Sequence, residues 1–455
     1  MAQTALKPTT PEQETLLPEL DGDRPWYLPR TFDAFRFGPF RWFMGAMIWW
    51  NAAMSMQMLV RGYLVYQLTG SFTALGVVGL GSGIPMLTLS PLGGVIADRT
   101  SRRLVLQLGQ TFSIVNATVV AVLLFADVLV FWHLFAASIA QGVMMALVMP
   151  SRQSYLPEVV GMQRLMNAIP LQTAGMNLMQ LGAPALGGFM IDWIGAGSVY
   201  SVMAVMYAMS VVTLFGVKSM SAEDFEASRA GIGQTRGNAS RRGRPSMNGH
   251  GDGKRAGTLD QLKGGLGYIV RDRTILAIIS LSFIGSLLGM PIRMLLAGYA
   301  AEVFGDSGAT LGLLQSSMAV GALGGALGLA TLRMREHRGL LLGASAVLMG
   351  VAMIAFSMTT VFILGAVGLL FVGIGSAGRQ ATSQILVQEY VEDEYRGRVL
   401  SVFMMQFSLM SVGTLFVGLY MEAVGARVAI GSLGVFLIAA TLLYLALVPR
   451  LRRLA

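Results

Sequence analysis

The residues of this chain best placed to do chemistry are charges standing where charges are expensive. Asp98 sits with Arg99, Arg102 and Arg103 in GGVIADRTSRR, residues 93–103, between two long uncharged runs. Arg61 and Arg293 each stand alone in an apolar stretch, separated by the same interval as the repeated segments described below. A charge at membrane depth must pair or face water. The chemistry on offer is therefore the making and breaking of ion pairs and the binding of a ligand, not the cleavage of bonds. With no cysteine and only three histidines, no HExxH and no GxxxxGK[ST], the chain lacks the ligand sets and phosphate loops of common enzymes. Neither a cofactor nor a metal is expected, and the chain reads as a non-enzyme.

The elements that position these charges follow from composition. Of 455 residues 54% are hydrophobic and only 13% are charged, and the apolar residues come in blocks of membrane-crossing length. Twelve spans are expected, near 43–66, 72–97, 104–126, 129–151, 163–188, 194–217, 272–297, 307–332, 339–357, 361–380, 399–421 and 427–448. The fold class is an all-α integral membrane protein. All but three of the 33 Lys and Arg residues precede span 1, follow an even-numbered span or lie at the C-terminal end; the exceptions are Arg61, Arg293 and Arg427. The opposite loops carry Asp127, Asp192, Glu302, Asp306 and Glu422. By the positive-inside rule both termini are cytoplasmic. The formal charge of +9 is thus a topology signal, and no nucleic-acid partner is expected. WYLPRTFDAFRFGPFRWF, residues 26–43, reads as an interfacial anchor on the lipid bilayer.

The chain reads as duplicated. PSRQSYLPEVVGMQRLMNA, 150–168, returns in outline as GRQATSQILVQEYVEDEYRGRVLSV, 378–402, with Arg152 opposite Arg379 and Arg164 opposite Arg398. GGVIADRTSRR has a worn counterpart in GGALGLATLRMREHR, 324–338, without the aspartate. Two pseudo-symmetric six-helix bundles follow. The expected organisation is a cytoplasmic tail over 1–36, a first bundle over 37–217, a Gly-, Ser- and charge-rich cytoplasmic loop over 218–268, a second bundle over 269–449 and a short tail over 450–455. Parallel halves of this kind point to rocker-switch transport, with substrate held between them.

Gly94, Asp98, Arg99, Ser101, Arg102 and Arg103 match a signature between the second and third helices of the major facilitator superfamily, which the chain resembles over residues 37–449. Within that superfamily it resembles the drug and amphiphile exporters, including macrolide-efflux-like and siderophore-exporter-like members. Ser101 replaces the family's usual glycine. The resemblance implies a cytoplasmic gate in which Asp98 meets the N-terminus of span 11, near Arg398, while Arg99, Arg102, Arg103 or Arg152 could pair with it. GAPALGG, 182–188, resembles the exporter-associated helix-5 signature through Gly182, Pro184, Gly187 and Gly188, with Ala183 in place of its first glycine. Pro184 bends a helix and the glycines admit a close neighbour; export comes from the resemblance alone.

Candidates for a substrate cavity are Trp50, Asn51, Met54, Gln57, Arg61, Gln141, Gln172 and Arg293. Arg61 and Arg293 either face each other across the pseudo-twofold axis or snorkel to the interface. Asn167, Gln172, Asn177 and Gln180 share span 5 but cannot form one narrow stripe, so some of them join helices. No Asp or Glu lies deep in a span, which leaves Asp98, Asp127, His133 and Asp192 as candidates for proton coupling. The expectation is a secondary exporter of small amphiphilic compounds, coupled to protons and working as a monomer in a prokaryotic plasma membrane. An anionic or zwitterionic amphiphile such as a lysophospholipid or siderophore is the alternative cargo, and a non-transporting receptor or scaffold the alternative class.

Overall fold

The computed structural model describes residues 34–35, 37–161, 164–217, 266–289, 291–331 and 338–452. Most of the anticipated tail over 1–36 and most of the central loop over 218–268 lie outside these residues. Of Gly94, Asp98 and Arg99 only the helical backbone is described.

Among the described residues every regular element is a helix. Ten stretches are long and apolar enough to cross a bilayer. One of them, Asn167–Phe215, turns back on itself at Gly195, whose φ of 80° and ψ of 157° suit only glycine, so it supplies two crossings. Gly38–Thr69 supplies another: at 32 residues it is long enough, but Asn51, Gln57 and Arg61 make it too polar for a hydropathy criterion. Twelve spans result. Spans 1 to 4 are Gly38–Thr69, Phe72–Arg99, Arg102–Phe125 and Phe131–Val160; spans 5 and 6 share Leu165–Phe215. Span 7 consists of two helices, Arg273–Gly289 and Ile292–Phe304. Spans 8 to 12 are Gly308–Thr331, Arg338–Met358, Phe362–Tyr390, Asp393–Val424 and Ala426–Leu447.

Three boundaries differ from the sequence expectation for one reason. Spans 4 and 10 run to Val160 and Tyr390, well past 151 and 380, and span 11 begins at Asp393 rather than 399. Hydropathy registers only the part of a helix that meets lipid, whereas the helices continue beyond it on polar, charged turns. Span 7 runs on to Phe304, past the expected 297, and carries Pro291, which has no N–H, within its length.

In a bilayer, apolar surface gives little drive for helices to associate, so close packing of small residues must supply it. Gly142 of span 4 lies against the backbone of Ser82 in span 2, and Gly373 of span 10 against that of Met318 and Ala322 in span 8. Close approach of a glycine to a neighbouring backbone thus recurs in both halves. Ion pairs repeat likewise: Arg102 opens span 3 and pairs with Glu158 of span 4 at 2.7 Å, while Arg338 opens span 9 and pairs with Glu389 of span 10. The ends that carry these arginines are called the basic end below, and the opposite ends the acidic end.

Candidate functional site

The halves meet most closely at the acidic end, through two contacts related by the duplication. Asp192, in the last turn before Gly195, accepts hydrogen bonds from the amides of Gly308 at 2.8 Å and Ala309 at 2.9 Å, and from the Ser307 hydroxyl at 2.7 Å. Glu422, its counterpart near the end of span 11, accepts from the amides of Phe72 at 2.7 Å and Thr73 at 3.3 Å, and from the Ser71 hydroxyl at 3.1 Å. Each carboxylate from one half thus caps the first turn of a helix in the other. The first N–H groups of a helix have no partner within it and lie at the positive end of its dipole, so both contacts favour an anion. A third bond joins spans 1 and 7 at this end, from the Tyr66 hydroxyl to Glu302 at 3.0 Å.

Beneath the caps the helices touch through backbone. The helix-5 motif lies here: Gly188 packs on the Gly308 carbonyl and Gly312, Gly312 packs on the Pro184 carbonyl and Ala185, and Gly187 meets Met56 of span 1. Gly182 has open space around it. Spans 2 and 11 meet in the same way, with Gly76 on the backbone of Leu415, Gly79 on Thr414, Gly83 on Ser411 and Gly418 on the Phe72 carbonyl. Below these, the Ser316 hydroxyl donates to the Leu181 carbonyl at 2.6 Å.

Toward the basic end from this joint lies a cavity of about 330 Å³ between spans 5, 7, 8 and 10. Asn177 and Gln180, one turn apart, line it from span 5, and Arg293 lines it from span 7. Span 10 contributes Gly373, Ser376, Ala377, Gln380, Ala381 and Gln384, whose spacing of three or four places them on one helical face. Met318, Ala322 and Leu323 of span 8 add an apolar wall. No Asp, Glu or His is among the lining residues.

Of the cavity residues anticipated from sequence, Arg293 alone lines this one. Asn51 donates to the Met47 carbonyl of its own helix at 2.7 Å, and Gln57 accepts from the Tyr207 hydroxyl at 2.8 Å. Trp50 is buried beneath the Arg152 guanidinium, 4.4 Å from its ring. Met54 packs half-buried on the core, Gln141 is buried, and Gln172 is half-buried. Arg61 is half-buried and its Nε lacks a partner, but it does not share the cavity wall with Arg293. Ser376, Gln380 and Gln384 were not anticipated, although their four-residue spacing in one span is a signal the sequence carries.

Four of the arginines expected at the gate, Arg102, Arg103, Arg152 and Arg398, are held within their own halves. Arg102 donates to the Ser154 carbonyl at 2.8 Å in addition to its Glu158 ion pair, and Arg103 donates to the Phe215 carbonyl at 2.8 Å. Arg152 lies against Trp50 and the Met176 sulfur, and Arg398 over the Tyr395 ring at 5.4 Å. The Asp98 side chain falls outside the described residues. Among the proton-coupling candidates, His133 accepts a bond from the Val130 amide at 3.3 Å and so caps the start of span 4. Asp127 occupies an exposed turn with φ of 56°.

Two duplicated bundles joined at one end, with a cavity between them, define a multi-pass membrane transporter for a small solute. The family profile of the Major Facilitator Superfamily matches residues 41–414, and the chain belongs to that superfamily. It is a transporter and not an enzyme. A Bacillus subtilis (strain 168) protein described as an uncharacterized MFS-type transporter, YfiS, is 24% identical over 153 residues, which are 33% of this chain and 35% of that protein. The chain thus matches about a third of that relative's length. Solved structures share the fold: a POT family transporter in complex with 5-aminolevulinic acid has a TM-score of 0.66 at 14% identity, with 91% of this chain and 96% of that one covered. The nucleoside transporter NupG has a TM-score of 0.66 at 12% identity, covering 90% and 98%. A D-xylose-proton symporter has a TM-score of 0.63 at 13% identity, covering 92% and 99%.

Proposed function

We propose that this chain is a secondary exporter of small amphiphilic compounds, working by rocker-switch alternating access in a prokaryotic plasma membrane with its basic end in the cytoplasm. The observation that carries the reading is the cavity between spans 5, 7, 8 and 10. It combines an apolar wall with four side-chain amides and lies on the basic side of the joint between the halves. Such a wall suits a ligand with an apolar body and a few polar groups. Export rests on the likeness of Gly182, Pro184, Gly187 and Gly188 to the helix-5 exporter signature. With no acid or histidine in the cavity wall, a coupling proton would act at the helix ends, through Asp98 at one face or Asp192 at the other.

Uptake of a fluorescent amphiphile into inside-out vesicles, with a pH gradient imposed and then collapsed, tests this reading. Accumulation above that of vesicles lacking the protein, lost on collapse, is the expected result. Failure to accumulate any member of a charge-varied probe series, with protein insertion verified, would sink the export reading.

Asp98 supplies a further test. In the outward-facing state it is proposed to cap span 11 at the cytoplasmic face, as Asp192 and Glu422 cap spans 8 and 2 at the other. Asp98→Asn is expected to insert normally and to slow the transport cycle about fivefold, the worth of roughly 1 kcal/mol of charge–dipole attraction in a partly buried setting. Wild-type transport by the inserted variant would remove Asp98 from the gate.

A further inference from the structure

The charges at membrane depth are of one sign. Arg61, Arg152, Arg293 and Arg379 stand on spans 1, 4, 7 and 10, and none of them pairs with a carboxylate among the described residues. The described acids that make bonds, Glu158, Asp192, Asp272, Glu302, Glu389 and Glu422, all lie at helix ends. Arg152 and Arg379 are committed to packing. Arg152 sits on Trp50, and Arg379, 1% exposed, donates to the Ser282 carbonyl at 3.0 Å and the Ser286 hydroxyl at 3.3 Å. Arg293 is different. Like Arg61 it makes no side-chain hydrogen bond or ion pair among the described residues, but of the two it alone lines the cavity.

Its position adds to the charge. Arg293 lies in span 7, two residues past Pro291, on the wall of a cavity whose other polar side chains are all uncharged. A lone guanidinium in such a place is costly unless an anion meets it. A cationic ligand would face Arg293 in a low-dielectric cavity with no acid in its wall to offset the repulsion.

From this geometry we infer that the cavity is an anion site and that the cargo is a small amphiphile carrying one carboxylate, sulfonate or similar group. Arg293 receives the anionic head, Gln380, Gln384, Asn177 and Gln180 bond its remaining polar atoms, and the wall formed by Met318, Ala322 and Leu323 receives the apolar body. This deepens the export reading and rests on the same cavity being the cargo site.

Three probes sharing one fluorophore separate the possibilities: 5-(dimethylamino)naphthalene-1-sulfonate, its neutral sulfonamide, and the cationic N-(2-aminoethyl) sulfonamide. With the full chain in lipid nanodiscs, the sulfonate is expected to bind at least tenfold more tightly than the cation. Arg293→Gln is expected to weaken the sulfonate tenfold or more and leave the neutral probe within twofold, while Arg293→Lys restores part of the loss. Gln380→Glu is expected to reverse the order of anion and cation, which keeps the test decisive should the Arg293 variants fold poorly. Preference of the wild type for the cation, equal losses for all three probes in Arg293→Gln, or binding of none of them would overturn the anion site. Counterflow in proteoliposomes distinguishes the two readings. Arg293-dependent binding without movement of the sulfonate would leave the anion site standing and count against export, and transport that favours the cation would do the reverse.

Discussion

A chain carrying both Asp192→Asn and Glu422→Gln is expected to spend most of its time open at the acidic end. Each carboxylate holds the first turn of a helix from the opposite half, and each amide replacement keeps the shape while removing the charge that the helix dipole favours. Such a charge is worth about 0.3–1 kcal/mol when exposed and up to about 2 kcal/mol when partly buried. The two contacts share no partner, so their effects add. Both carboxylates are exposed and both contacts break in the same rocking motion, so together they shift one equilibrium by about 0.6–2 kcal/mol, roughly threefold to thirtyfold. The single variants are expected to fall between the double variant and the wild type. The chain has no native cysteine, so spin labels at Val128→Cys and Thr360→Cys, exposed acidic-end positions in opposite halves, report the opening directly. A distance distribution unchanged in the double variant would show that the caps do not hold the joint.

Much of this architecture was legible because the bilayer leaves few solutions. Long uncharged blocks must be helices, and the loops must alternate in charge. The repeat was visible in Arg152 and Arg379, and the structure extends it to the ion pairs Arg102–Glu158 and Arg338–Glu389. What spacing cannot supply is rotation about a helix axis. Arg61 and Arg293 look like twins by their place in the repeat, yet of the two only Arg293 lines this cavity. Asn51 and Gln57 were good candidates by type, but both are spent on packing within the first half. Asp192 was legible as a boundary acid. Its partnership with the start of span 8 depends on which helix end lies opposite, and that is a property of the assembled halves.

Valine in place of Gly188 is expected to abolish closure of the acidic end while leaving each bundle folded. The Cβ it adds would lie on the Gly308 carbonyl and within 3.1 Å of the Gly312 Cα. Both are backbone, so no side chain can rotate aside and only separation of spans 5 and 8 relieves the overlap. Overpacking of this kind costs about 1–3 kcal/mol and sometimes more, and here the cost falls on the closed state alone. The same displacement would pull Asp192 from Gly308 and Ala309, so steric and electrostatic losses compound. Gly76→Val acts on the symmetric contact, where the added Cβ meets the Leu415 Cα at 2.6 Å. Each variant is expected to lower transport about a hundredfold, with the Val128–Thr360 distance lengthened and thermal stability in nanodiscs near that of the wild type. Gly182→Ala, in open space earlier on the same helix, is the matched control and is expected to transport normally. Near-normal transport by folded Gly188→Val would mean that spans 5 and 8 need not approach this closely during the cycle. Loss of folding instead would mean that the glycines serve assembly of the halves more than their motion.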